Sequence, residues 1–222
     1  MKSSLGLAGK GAVEGTFAST PISSDGTAEE IAASFREAVS GQMERAEAEG
    51  ISISTVSVVM PGPFDYKGNG VFLMKHKFAA VYGKTFREVL GDAITPETRL
   101  VFAHDVNGAL MGALMLYPEL GKGNVAISTL GTGLGFAHAI DGVVQESATG
   151  SPAVDIWNAP YNGSILEDFV SRRAILRFYA EQGGILADVE DGGQGVAHGA
   201  QKRALLAVEF RHGKISFINK RV

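Results

Sequence analysis

Two short stretches of the 222-residue chain combine residue types that do chemistry at a useful spacing. The apolar run Arg99–Ala103 delivers His104 and Asp105 at its end, and the small-residue run Asn107–Leu116 follows at once. A carboxylate held between a strand end and a helix start is fixed by two rigid elements while its head faces a cleft. That suits a base which accepts a hydroxyl proton as a phosphoryl group is transferred. The same placement also suits a plain helix cap, with Asp105 and Asn107 taking up the first N–H groups of the helix. The second stretch is Gly131-Thr132-Gly133-Leu134-Gly135. Its glycines let successive backbone N–H groups approach an anion and the Thr132 hydroxyl adds a donor, so the turn could hold a nucleotide phosphate. A simple glycine-rich hairpin has the same composition. The stretch is not a Rossmann fingerprint, since Phe136 stands where the third glycine belongs, and not a P-loop, since no Lys-Ser/Thr follows.

The elements that must position these residues are legible as patterns. Lys2–Leu7 and Ala12–Thr20, around Gly9-Lys10-Gly11, read as a β-hairpin. Thr27 and Glu30 form a capping box, and Ile31, Phe35, Ala38, Val39 and Met43 recur at helical spacing until Gly50. Ile51–Met60 is β-branched and apolar, as a strand covered on both faces would be, and stops at Pro61-Gly62-Pro63. Phe64–His76 is irregular and Phe78–Leu90 predicts a helix. Tyr117–Gly123 reads as a linker and the expected domain boundary, giving 1–117 and 118–222. Asn124–Leu130 and Gly135–Ile140 are then strands, and Asp141-Gly142 signals a type I′ turn into Val143–Gln145, making an antiparallel meander. Residues 147–163 form a polar loop with the only Trp, and Ile165–Ala180 predicts an amphipathic helix. Beyond a glycine-rich Gly183–Gly199, Gln201–Glu209 could be a helix and Arg211–Val222 an amphipathic strand.

Composition excludes several classes. With 45% hydrophobic and 20% charged residues and no long apolar window, the chain reads as a folded protein without a membrane span. Its net charge of -4 gives no general attraction to nucleic acid or anionic lipid. The absence of Cys excludes disulfides, iron–sulfur clusters and thiol catalysis, and the N-terminus lacks a secretion signal, so a cytoplasmic location is expected. The five histidines, His76, His104, His138, His198 and His212, lack zinc-type spacing, and no structural zinc is expected. No Ser sits in a Gly-x-Ser-x-Gly setting. Arg172-Arg173 and Lys220-Arg221 read as solvated basic faces. Glycine is in excess, 29 residues or about 13% against a usual figure of about 7%.

Four stretches, in order, resemble the ROK family, which contains bacterial sugar kinases and sugar-responsive repressors on the actin-like ATPase fold. Val58-Val59-Met60-Pro61-Gly62-Pro63-Phe64-Asp65 resembles its strand and Pro-Gly-Pro-x-Asp loop on the sugar side. Phe102-Ala103-His104-Asp105-Val106-Asn107-Gly108-Ala109 resembles its Asn-Asp-x-Asn-x-Ala segment, in which the Asp is the catalytic base. Ser128–Gly135, with Asp141-Gly142 after it, resembles the second phosphate loop and its hairpin. Gly163-Ser164-Ile165-Leu166-Glu167-Asp168-Phe169-Val170-Ser171 is similar to the Gly-Cys-Leu-Glu-x-x-x-Ser segment, whose Glu reaches a sugar hydroxyl. The likeness spans about residues 2 to 182.

The resemblance implies a two-lobed α/β protein of actin-like ATPase, ribonuclease H-like, fold. The activity it implies is ATP-dependent phosphorylation of a hexose hydroxyl, with Asp105 as base. Gly131, Thr132, Gly133 and Gly135 would cradle phosphate, Gly62, His104, Asp105 and Glu167 would contact the sugar, and Mg2+ would arrive with ATP. It also implies a homodimer. The chain departs from the family at several points. The Asp-x-Gly-Gly-Thr strand is not seen, and the last forty residues do not match, so truncation at both ends is expected. The family's zinc ligands are missing, Asp155-Ile156-Trp157-Asn158 falls where Glu-x-Gly-His is usual, and His104 replaces Asn. The alternative is a noncatalytic sugar-binding or sensing protein of the same fold. With no helix-turn-helix in the sequence, a DNA-binding repressor is not expected.

Overall fold

The structure, a computed structural model, describes residues 1–181 with their side chains and the backbone of two later strands, Ala207–Arg211 and Lys214–Ile218. The chain divides into two compact units, Met1–Ala103 and His104–Val222. The division falls ahead of the helix that begins at Asp105, because that helix buries its apolar face on the second unit's sheet. The expected linker, Tyr117–Gly123, instead carries a short 3-10 turn, Pro118–Gly121.

In the first unit the expected hairpin forms, but in two parts. β1 (Lys2–Ser3) and β4 (Ala18–Ser19) pair at the open end, and β2 (Gly6–Leu7) and β3 (Gly11–Ala12) pair at the turn. Between them the second strand bulges. The buried Thr16 hydroxyl fills the gap, accepting from Leu5 N–H at 3.0 Å and donating to the Val13 carbonyl at 2.7 Å. α1 (Ala28–Ala48) has the expected capping box. Thr27 Oγ1 accepts from Glu30 N–H, the Glu30 carboxylate accepts from Thr27 N–H, and Gly50 ends the helix in the left-handed region at φ 66°. Its buried face, Ile31, Phe35, Ala38 and Val39, is the one the helical spacing marks.

Two expectations are corrected in this unit. β5 is only Thr55–Met60, and it is covered on one face rather than both: Val58 and Met60 are buried while Thr55, Ser57 and Val59 are exposed. The Phe78–Leu90 helix is broken into a 3-10 turn, Ala79–Val81, and α2 (Phe86–Leu90). Thr85 starts α2 afresh with its own capping box to Glu88. The break lets the chain send Phe72, Phe78 and Phe86 into one aromatic cluster with Phe35, Phe64 and Phe102, with ring centroids between 5.2 and 6.0 Å. Burying these rings outweighs the few helical hydrogen bonds forgone. β6 (Arg99–His104) pairs with β5 and ends at the unit boundary.

The second unit opens with α3 (Asp105–Leu116), which lays Val106 and Leu110 against Val125, Ile127, Ala137 and Ala139. Its sheet has the order β13-β12-β7-β8-β9, where β7 is Asn124–Leu130, β8 Leu134–Ile140, β9 Val143–Val144, β12 Ala207–Arg211 and β13 Lys214–Ile218. The expected meander is its β7-β8-β9 part. β7 and β8 run antiparallel from Asn124↔Ile140 to Leu130↔Leu134. Asp141 and Gly142, at φ 47° and 78°, make the positive-φ turn into β9. β12 corrects the end of the expected 201–209 helix, since Ala207–Glu209 pair with Val125–Ile127. The expected strand after Arg211 exists as β13, with β12 as its partner. Gly183–Gly199, the rest of the 201–209 segment, His198 and His212 lie outside the described residues.

The single helix expected over Ile165–Ala180 is corrected as well. β10 (Pro160–Tyr161) and β11 (Ser164–Ile165) form a small hairpin, and Leu166–Asp168 make a 3-10 turn. Only α4 (Arg172–Glu181) is α-helical. Ser171, almost fully buried, separates the two by accepting the N–H of Ala174 on its hydroxyl, which starts α4 as an N-cap. Among the described residues no helix is long and apolar enough to cross a membrane.

Candidate functional site

Asp105 is the first residue of α3 and follows directly from β6, the placement that the sequence predicts. Its Oδ1 receives the N–H of Val106 at 2.8 Å, and His104 Nδ1 lies 2.9 Å from the same oxygen. The Val106 N–H also lies 3.4 Å from His104 Nδ1. One ring nitrogen does not accept from Val106 and donate to Asp105 at once. The two short contacts both end on the carboxylate, so Nδ1 carries the proton and His104 is a donor to Asp105. The Asp105 side chain is 52% exposed against 19% for His104, so a fixed imidazole steers an accessible carboxylate.

The capping alternative holds only in part. His104 occupies the N-cap position, and Asp105 takes the next N–H. Asn107 is no cap, because it is fully buried and spends its amide elsewhere. Its Nδ2 donates to the Gly150 carbonyl at 3.3 Å and to Glu146 Oε1 at 3.4 Å, tying the loop after β9 to α3. Its Oδ1 is buried without a partner among the described residues.

The glycine turn joins β7 to β8 close to the start of α3. A side chain on Gly135 would meet Thr129 Oγ1 and lie 3.4 Å from Val106 Cβ, so only glycine fits there. Within the turn Gly131 N–H donates to the Gly133 carbonyl at 3.0 Å. Leu134 N–H donates to Glu167 Oε2 at 2.9 Å, and a Cβ on Gly133 would lie 2.5 Å from that same oxygen. Among the described residues the N–H groups of Thr132 and Gly133 and the Thr132 hydroxyl have no hydrogen-bond partner. Thr132 is exposed and Gly133 half-buried. Two neighbouring backbone donors and a hydroxyl in a glycine-rich turn are the kind of groups that receive a phosphate oxygen.

Glu167 reaches the turn from the loop after β11, where its own N–H donates to the Trp157 carbonyl at 3.0 Å. Its Oε1 accepts from Arg173 Nη2 at 2.8 Å, and Arg173 Nε donates to the Thr132 carbonyl at 3.2 Å. Arg172 N–H donates to the Gly131 carbonyl at 2.9 Å. Arg173 is 65% exposed, as the reading of a solvated face expects, and it also braces the turn through its guanidinium, while Arg172 does so through its backbone N–H. No local signal in the sequence marks Arg173, because its contact with Thr132 spans 41 positions.

The second unit holds His104, Asp105, Gly131, Thr132, Gly133, Gly135 and Glu167; Glu167 bonds to the turn, and Val106, next to Asp105, lies beside Gly135. Gly62 belongs to the first unit, exposed in the turn after β5, with a cis Gly62–Pro63 bond. The neighbouring Asp65 has a structural task there, its carboxylate accepting from Gly68 and Asn69 N–H at 2.8 Å each. Among the described residues no three His, Asp or Glu side chains converge as a metal site.

No protein-family model matches the chain, and no curated protein matches it in sequence. Solved structures do. A ROK hexokinase from Thermus thermophilus superposes with a TM-score of 0.55 at 23% identity, over 80% of this chain and 59% of its own. A ROK family glucokinase from Streptomyces griseus, in complex with glucose and AMPPNP, gives 0.54 at 22% identity over 75% and 52%. A ROK family transcriptional regulator, a homologue of the E. coli MLC protein, gives 0.60 at 18% identity over 85% and 50%. The chain spans roughly half the length of these structures. Its α/β architecture is the actin-like ATPase fold, in the form shared by ROK sugar kinases and a ROK regulator.

Proposed function

We propose that the chain carries the phosphoryl-transfer half of a ROK-type sugar kinase, with a hexose hydroxyl as acceptor. The observation that carries this reading is the juxtaposition of Asp105 with a glycine turn whose outward donors fit phosphate: Val106, the residue after Asp105, packs against Gly135. Bound at the turn, ATP with its Mg2+ supplies the transferred γ-phosphoryl group. Thr132 and Gly133 N–H and the Thr132 hydroxyl hold phosphate oxygens, and Gly131 and Gly135 keep the turn free of side chains. Asp105 takes the proton of the attacking hydroxyl. The contacts of its Oδ1 with His104 Nδ1 and with the N–H of Val106 keep the carboxylate aimed until that proton arrives. His104 and Glu167 offer further polar contacts to sugar hydroxyls, and Gly62 is carried by the resemblance alone. A dimer and a cytoplasmic setting follow from the same reading.

The test is hexose-dependent release of ADP, measured over a panel of hexoses. Asp105→Asn is expected to lower turnover by about 10²–10⁴-fold while hexose binding stays measurable, because an amide keeps the shape but accepts no proton. Unchanged turnover in this variant would remove the mechanism. The second reading, a noncatalytic sugar sensor, is supported by the presence of a transcriptional regulator among the solved structures that share the fold. Hexose binding without nucleotide binding would select it.

A further inference from the structure

We propose that Arg173 is what makes the glycine turn able to accept phosphate, by neutralising the carboxylate that Glu167 already lays on it; this rests on the kinase reading above. The four groups form a closed ring. Leu134 N–H donates to Glu167 Oε2, Glu167 Oε1 accepts from Arg173 Nη2, Arg173 Nε donates to the Thr132 carbonyl, and Thr132 and Leu134 belong to the same turn. The donors left over for a ligand, Gly133 and Thr132 N–H, lie one and two residues before the donor that Glu167 occupies. Any phosphate at the turn therefore sits within a few ångströms of the Glu167 carboxylate.

Glu167 is mostly buried, its side chain 18% exposed, so water screens this repulsion poorly. The carboxylate occupies the space that a side chain at position 133 would need, since a Cβ there would lie 2.5 Å from Glu167 Oε2. Arg173 is the cation that cancels the charge. Its guanidinium contacts both the carboxylate and the turn, and it remains 65% exposed. Arg173 is thus a positioning and charge-balancing residue of the phosphate turn.

The experiment is equilibrium calorimetry on the full chain without sugar, using MgATP and, separately, magnesium tripolyphosphate, which carries the charge without the nucleoside. Arg173→Ala is expected to weaken both ligands by about tenfold or more, as one uncompensated charge at this range requires. Arg173→Met, which keeps the aliphatic stem, is expected to behave alike and covers the case in which the alanine variant does not fold. Adding Glu167→Gln to either variant is expected to restore binding to within a few-fold of the parent, because the amide still accepts from Leu134 N–H but carries no charge. Parent-like binding by the single Arg173 variants, or a double variant as weak as the single, overturns the inference while ATP binding by the parent keeps the kinase reading standing. A parent chain that binds neither ligand overturns both.

Discussion

Gly135 shows how a single missing side chain shapes the site. Its place beside Thr129 Oγ1 and Val106 is what lets the turn lie against the residue that follows Asp105. Gly135→Ala is expected to destabilise the chain by about 1–3 kcal/mol, the usual cost of forcing atoms into a filled space. Thr129→Ala in the same background removes the colliding hydroxyl and is expected to return part of that loss, measured by urea unfolding of the single and double variants. His104 is the other residue whose role is local: an Asn at this position could donate to Asp105 but would bring no titratable ring. At this scale the sequence was informative about residue type and silent about partners. Asp105 and the glycines stood out, whereas the link from Glu167 through Arg173 to Thr132 joins segments with no adjacent signal between them.

The helices show where local rules govern and where packing overrides them. Thr27–Glu30 and Thr85–Glu88 are reciprocal capping boxes; the first starts its helix where the sequence reading places it, and the second starts a helix inside the expected Phe78–Leu90 segment. Thr27→Ala is expected to cost about 1 kcal/mol in a denaturant melt, typical of losing a helix cap. Hydrogen bonds from the Thr27 backbone and hydroxyl hold the Glu30 carboxyl below its ordinary value of 4.5, and those from Thr85 do the same for Glu88. A carboxyl depressed in the folded state binds its proton more weakly there than in the unfolded chain. Its contribution is thus complete above the unfolded pKa and is lost as pH falls through the folded one. Stability should therefore decline below about pH 4.5, and Glu30→Gln should flatten part of that decline in melts taken at successive pH values. Periodicity failed where two apolar segments ran together. Phe78–Leu90 and Ile165–Ala180 read as continuous helices, but the capping hydroxyls of Thr85 and Ser171 break them so that Phe72, Phe78 and Phe86 share one core and Glu167 can reach the turn.

For the whole molecule, a ligand that binds the folded chain stabilises it by mass action, by about 2.7 kcal/mol at a hundredfold excess over Kd, and so raises its melting temperature. The kinase reading expects MgATP and a hexose each to raise the melting temperature in a thermal-shift series. The sensor reading expects only the hexose to do so. At this scale the fold class was legible through resemblance, because four short stretches in order are similar to the ROK family, and the solved ROK structures share the fold. Apolar runs, the Thr27 capping box and turn residues likewise determined α1, β6, the β7-β8-β9 meander and the strand-to-helix seat of Asp105, since each rests on interactions within a few residues. Only the tertiary structure decided that β5 is covered on one face, that Asn107 is a buried tie and that β12 joins β7. It alone also decided that Glu167 and Arg173 close a ring on the glycine turn. The physical reason is range: burial and charge pairing depend on which distant segments the chain brings together, and residue type and spacing do not record that.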